Sequence, residues 1–436
     1  MIEFDVYLAI SALSGLVIVS YIFSLISKRT RIPTVLMLLA LGVGIREIAE
    51  QTNNYYEMPL DFVQFFGVLG LILVLLDAGL DLNLSRNKLP LVKRAIGSAA
   101  FVLTLSGVSI AAILRFVVEM PWYESFVYSA SLAVISSTIV ASSINYLSED
   151  KREFLTYESA VSDIIGILMF NLLIARESVS VGMIAVNIGS FALAIVLSVG
   201  ISILLVFLLA RVKIEIKAFL IFGVLMLIYA VGHLMNLPSL LTVLIFGLII
   251  NNWGKSKIPA FHTVLSVQAV SEATKTVKNV TTESAFLIRT IFFTLFGYMI
   301  DVRSLADTRV LIIGSAIVAA IFVARYLYLR LFLREHVLPE IFFAPRGLVT
   351  VVLFYSIPAS LAVDNFDDSI VFFVVAATTI IMMIGSIWFT PHHATRDAEE
   401  NGTPPPVKKS AVKKAAKAEQ KLQTKNGKKE LKPDPS

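Results

Sequence analysis

The chain contains no cysteine in 436 residues. Disulfides, thiol catalysis and cysteine-ligated metals are therefore excluded. Histidine is scarce as well. The five present form no HxxxH or HExxH pattern, and His392 and His393 follow the last apolar run. Charge is the third shortage: 16% of residues are Asp, Glu, Lys or Arg, against about 25% in an ordinary soluble domain. No nucleophile–base or metal constellation is visible, so neither an enzyme nor a cofactor is expected. No nucleic-acid partner is expected either.

Apolar residues fill the space that charge leaves. They make up 57% of the chain, and mean hydropathy is +0.80. The excess is gathered into runs near 20 residues, the length a helix needs to cross about 30 Å of hydrocarbon. The first run, 6–26, is too long for the apolar core of a leader and is followed by SKRTR, with no small-residue cleavage site. The expectation is an all-α polytopic membrane protein in the lipid bilayer. Thirteen spans are predicted, near 5–26, 32–48, 60–81, 95–117, 121–146, 153–175, 179–210, 216–235, 237–252, 283–301, 307–333, 341–362 and 368–389.

Loop charge supports that count. Loops after odd-numbered spans carry eighteen Lys or Arg residues, against five after even-numbered spans. The positive-inside rule then puts the N-terminus outside and the C-terminus in the cytoplasm. The loop 254–282 is mixed in character, and VLSVQAVSEATKTVKNV within it is predicted to lie as an amphipathic helix on the inner surface. The transmembrane domain is assigned to 1–392. The Lys-rich segment 393–436 is expected to be a disordered cytoplasmic tail, because it holds too few large apolar residues to fold alone. No soluble nucleotide-binding domain follows the spans, which speaks against ATP-driven transport.

Ionisable groups inside spans are costly and mark pathways or internal pairs. Asp163 sits in the middle of span six. Ser159, four residues earlier, and Gly166, three later, share its helix face. A carboxylate among hydroxyls is a hard oxygen site, suited to Na⁺, K⁺ or Li⁺ as well as to a proton. The bland alternative is a buried Asp satisfied by hydroxyls. Glu158 lies five residues away, about 140° around the helix, and does not share that face. The only mid-span cation found for it is Arg325, so a structural ion pair is expected.

Asp77 closes span three, either as a ligand or as an interfacial carboxylate near Arg86. Arg346 lies in FFAPRGLVTVVLFYSIP, where Pro345 and Gly347 break the helix. Broken helices at membrane depth mark transporter binding sites. An organic-anion transporter using Arg346 is the competing function; a channel is disfavoured because no filter-like repeat exists. Span five is rich in hydroxyls: five of the eight residues 136–143 are Ser or Thr. Thr138 among them can line an ion site or simply allow close packing.

These stretches, in this order, resemble the cation/proton antiporter superfamily, and most closely its sodium/proton exchanger branch. The residues Tyr157-Glu158-Ser159-Ala160-Val161-Ser162-Asp163 are similar to the branch's Gly-Glu-Ser-x-x-Asn-Asp signature. Ser137-Thr138-Ile139-Val140-Ala141 is similar to the motif on the preceding helix. Phe292–Gly297, Ala324-Arg325, Arg346-Gly347 and Asp77-Ala78-Gly79-Leu80 complete the pattern.

The resemblance implies two six-helix inverted repeats, about 1–176 and 216–390, joined by a linker helix at 179–210. Spans five and twelve would be unwound and cross near the midplane. It further implies that Asp163 binds cation and proton in competition, with Ser159, Thr138, Asp77 and Ser162 as further ligands. Glu158 and Arg325 would be the family's structural pair. Ser162 stands where the branch has Asn, and Arg325 where electrogenic members carry Lys. Electroneutral one-for-one exchange is therefore expected. A homodimer in the plasma or inner membrane, moving a core bundle against a scaffold and serving pH homeostasis, follows from the same resemblance.

Overall fold

A computed structural model describes residues 6–53, 55–82, 88–144, 146–174, 196–207, 217–234, 239–253, 267–333, 338–363 and 365–400. Among the described residues every regular element is a helix. In chain order they are α1 (Val6–Thr30), α2 (Thr34–Gln51), α3 (Leu60–Asp81), α4 (Leu89–Val117), α5 (Trp122–Leu132), α6 (Ser137–Ser143), α7 (Glu149–Ile174), α8 (Val196–Phe207), α9 (Lys217–Leu234), α10 (Ser239–Asn252), α11 (Val267–Met299), α12 (Thr308–Tyr328), α13 (Leu348–Tyr355) and α14 (Ser369–Glu400). Among the described residues eight segments are long and apolar enough to cross a membrane, counting α5 and α6 as one. The chain is a multi-pass membrane protein.

Prolines punctuate this order where helix chemistry permits. Pro33, Pro59 and Pro121 each stand immediately before a helix, where the missing N–H has no intrahelical partner to lose. Pro345 does the opposite work, sitting inside a predicted span and preventing its helix from forming continuously. The apolar surface of α1 is open: Tyr7, Ile10, Ile18 and Leu25 are all exposed, as suits side chains facing lipid.

The helices pack as two groups. In one, α4 lies against α5, α7 and α12, and α12 against α14. In the other, α11 lies against α2 and α3, and α3 against α10. The second group is held at backbone distance by glycine. A Cβ on Gly42 of α2 would lie 2.1 Å from the Thr294 carbonyl oxygen, and one on Gly297 of α11 would lie 2.4 Å from that of Leu39. Only glycine allows these two helices to meet so closely.

Two spans are interrupted, as the fold expectation requires. Between α5 and α6 the chain is non-helical over four residues, 133–136, and before α13 it is extended over 343–347. The two breaks cross and touch, with the Ser136 N–H donating to the Pro345 carbonyl at 2.9 Å. The helix expected on the inner surface is corrected. From Val267 the sequence VQAVSEATKTVKNV is the first half of α11, continuous with the span that ends at Met299. Its amphipathic pattern reflects a helix leaving the membrane side of a bundle, with Val270 and Val277 buried on one face. Residues 254–266, the tail from 401 and most of the proposed linker helix lie outside the described residues.

The α2–α11 contact generates a test. Gly42→Val should cost about 1–3 kcal/mol through forced separation of the backbones. It should appear as a lower melting temperature of the detergent-purified protein, with Gly15→Val, which meets nothing within 4 Å, unchanged.

Candidate functional site

The site forms where the crossing breaks meet α7. A helix interrupted in hydrocarbon exposes N–H and C=O groups that cost several kcal/mol each when unpaired. The partners here come from side chains. Ile135 N–H donates to Ser162 Oγ at 3.0 Å, and Ser137 N–H to Asp163 Oδ2 at 3.4 Å. Arg346 N–H donates to Thr378 Oγ1 of α14 at 3.0 Å. The Arg346 side chain serves the same purpose: Nε donates to the Leu132 carbonyl at 2.9 Å, and Nη1 to that of Ala344 at 3.0 Å. Leu132 ends α5, where terminal carbonyls have no intrahelical donor and the helix dipole favours a cation.

Close approach at the crossing depends on Gly347. A Cβ there would lie 2.5 Å from Ser136 Oγ and 2.9 Å from Ile139 Cδ1. Gly166 plays the equivalent part on α7, because a Cβ would lie 2.3 Å from Val134 Cγ2. The small face predicted beside Asp163 is thus filled, at Gly166, by the Val134 side chain of the first break.

Asp163 is fully buried. Its Oδ2 accepts from Ser137, while Oδ1 has no hydrogen-bond partner within the protein. No Lys or Arg lies within ion-pair distance of it among the described residues. Arg346 Nη2 and Thr350 Oγ1 are likewise buried and unpartnered. On α6 the surface is accessible at Ala141 and Ser142 and partly so at Thr138 and Ser137. An accessible helix face therefore leads to the residue whose N–H touches Asp163.

Glu158 has the opposite environment. Oε1 and Oε2 each accept from Arg325, through Nη1 and Nη2, both at 3.0 Å. Ser98 Oγ of α4 donates to Oε1 as well. Arg325 Nε donates to the Glu340 carbonyl at 2.7 Å. Three helices (α4, α7 and α12) and the start of the second broken span are tied at this pair. Around it lies a separate apolar cluster including Ala95, Phe154, Tyr157, Tyr328 and Phe343.

The remaining predicted residues are placed differently. Ser159 Oγ donates back to the Leu155 carbonyl at 2.7 Å. Thr138 Oγ1 pairs with Ser136 Oγ at 3.1 Å. Asp77 engages α11, where its Oδ1 accepts from Thr282 Oγ1 at 2.8 Å; Arg86, its alternative neighbour, lies outside the described residues. One turn on, Asp81 pairs with Lys278.

Arg325 is the cation that meets Glu158, but it is not the only arginine within an apolar span. Arg289 also lies in the apolar part of α11, with Nε bonded to the Ala285 carbonyl at 3.0 Å and its charge acting on Asp77. An Arg within AFLIRTIFF was readable as such. Thr378, in the Thr-Thr step of an apolar run, was readable too. Ser98 carries no sequence signal that separates it from other small residues of its span.

The class defined is a multi-pass helical membrane protein with a buried carboxylate, one oxygen unengaged, at the crossing of two interrupted helices. The sequence matches the family model of the transmembrane sodium/hydrogen exchangers over residues 15–390. The chain belongs to that family. No curated relative matches it. Among solved structures it is similar to the sodium proton antiporter MjNhaP1 of Methanocaldococcus jannaschii at pH 8, with 18% identity and a TM-score of 0.64. That match covers 88% of this chain and 96% of the other. An electron-microscopy map of the same antiporter matches at 17% identity and the same TM-score, covering 92% of this chain and all of the other. The shared feature is the fold.

Replacing Arg325 by Gln leaves Glu158 buried without its cation, which should destabilise the protein by about 3–5 kcal/mol. The double variant Glu158→Gln, Arg325→Gln should recover part of that loss. Thermal melting of the three purified variants measures the coupling, and strict additivity would remove the pair's structural role.

Proposed function

We propose that the protein is a secondary monovalent cation/proton antiporter in which Asp163 holds a proton and Na⁺, K⁺ or Li⁺ in turn. The observation that carries this reading is the contrast between two buried carboxylates on one helix. Both oxygens of Glu158 are committed to Arg325, whereas Oδ1 of Asp163 has no partner in the protein. A carboxylate locked to an arginine cannot trade ligands, because the guanidinium does not release its proton. A carboxylate held through one oxygen by a backbone N–H can.

Thr138, Ser162 and Ser159 are the hydroxyls that would complete a hard-oxygen site, after rotation of the bonds they now make. Asp77 and Thr282 would form a station on the way, reached from the basic side of the membrane, which is the cytoplasmic side in this reading. With one exchangeable carboxylate per site, exchange is one-for-one and electroneutral. Transport is by alternating access, the α4–α7, α12, α13 and α14 bundle moving against α1–α3 and α9–α11. The working unit is a homodimer in the cell membrane, and the physiological role is pH homeostasis. The organic-anion reading is less well supported, since Arg346 spends Nε and Nη1 on backbone carbonyls and keeps only Nη2 unengaged.

The test is cation-induced dissipation of a pH gradient in proteoliposomes, with Na⁺, K⁺ and Li⁺ added separately. At least one cation should move protons in the wild type. Asp163→Asn, shown monodisperse by gel filtration, should fall to the rate of protein-free vesicles. The wild-type rate should not change with an imposed membrane potential. A potential-dependent rate would sink one-for-one exchange, and exchange surviving in Asp163→Asn would sink the site.

A further inference from the structure

The two helix groups meet along α3, and the contact changes character along its length. Near mid-depth a Cβ on Gly70 would lie 3.1 Å from Leu348 Cδ1 of α13. One turn towards the start of α3, a Cβ on Gly67 would lie 2.8 Å from Val352 Cγ2. One further turn out, Gln64 Nε2 donates to the carbonyl of Tyr355 at 2.7 Å. Tyr355 is the last residue of α13. The other half of α3 turns to its own group: Gly79 packs on α10, and Asp77 and Asp81 bond to α11.

Beside the Gln64 bond is a cavity of about 280 Å³, lined by Val68, Tyr229, Phe292, Val352 and Ser356 together with Gln64 and Tyr355. Its walls come from both groups: α13 supplies one, and α3, α9 and α11 supply the other. The carbonyl that Gln64 caps is a terminal one, which suits a side-chain donor. This donor belongs to a different moving body from the acceptor. A second polar tie between the groups, Arg31 Nη1 to the Ser386 carbonyl at 3.3 Å, lies at the opposite, basic side and touches neither α3 nor α13.

Building on the antiport reading above, we infer that Gln64 is a latch. Its bond to Tyr355, with the Gly67–Val352 contact beneath it, closes the route from the outer face to the crossing, and outward opening begins when that bond breaks. The cavity is the beginning of the outer passage, already present on the closed side. Removing the donor shifts the population towards the outward-open form without touching Asp163. Loss of one such hydrogen bond changes a two-state ratio by roughly twofold to tenfold.

The absence of cysteine makes the test direct. Val352→Cys places a reporter beneath the latch, and Ser142→Cys places one on the accessible face of α6. Each is labelled with a membrane-impermeant maleimide, from outside on cells for the first and in inverted vesicles for the second. Gln64→Leu and Gln64→Glu should each raise labelling at 352 by roughly twofold to tenfold and lower labelling at 142. Unchanged labelling at 352 in both variants overturns the latch, and so does a rise at both positions, which is general loosening. Cation-driven proton movement is measured in the same membranes. Its absence from the parent protein fails the antiport reading itself, whereas its presence with unmoved labelling fails the latch alone.

Discussion

A backbone inside hydrocarbon has no water to bond, and the arrangement of this protein's centre follows from that constraint. Two spans are broken at membrane depth, and each break is filled from outside itself. Ser136 and Pro345 satisfy one another. The hydroxyls of Ser162 and Thr378 and the carboxylate of Asp163 take three more N–H groups. Arg346 supplies donors to two carbonyls. An arginine here is at once a charge and a set of spare N–H groups, placed where helix ends lack them. Asp163 is thus part of the scaffolding of the crossing, bonded to its backbone.

The contrast between the paired Glu158 and Asp163 has the same origin. Glu158 sits between α4 and α12, where Ser98 and Arg325 converge on it, so its charge is spent on holding helices together. Asp163 is five residues on and faces the small-residue side of α7, where backbone is the neighbour and no cation arrives. The two helix groups are held together by different means. One group is tied by the Glu158–Arg325 pair, the other by glycine-mediated contact of α2 with α11. The surface between them, chiefly α3 on α13, relies on apolar packing and few polar bonds.

Much of this was legible in the sequence. Apolar run length marked the spans, and Pro345-Gly347 the second interruption. The helical angle between Glu158 and Asp163 separated their surroundings. The first interruption was harder to see. Its residues, 133–136, are Ala, Val, Ile and Ser, none of which forbids a helix; what unwinds them is the second break lying across them, a tertiary cause. The mixed stretch after Val267 misled because amphipathic periodicity looks the same on a membrane surface and on a helix leaving a bundle. Ser159 and Thr138 face the expected way by spacing, yet their hydroxyls bond nearer partners, and spacing alone carries no information on rotamers. Ser98 was invisible because a serine becomes a charge partner only through the packing that brings α4 to α7.

The four-residue break between α5 and α6 has a consequence for how this chain can vary. Leu132, Ile135, Ser136 and Ser137, in and beside the break, contact Arg346, Ser162, Pro345 and Asp163, two partners in the second break and two in α7. All four contacts are made by backbone atoms of this segment, so many side chains can change there without breaking them. Inserting or deleting one residue cannot be absorbed in the same way, because it moves all four contacts out of register together. The segment is therefore permissive in spelling and strict in length, and gaps rather than substitutions are what this part of the fold forbids.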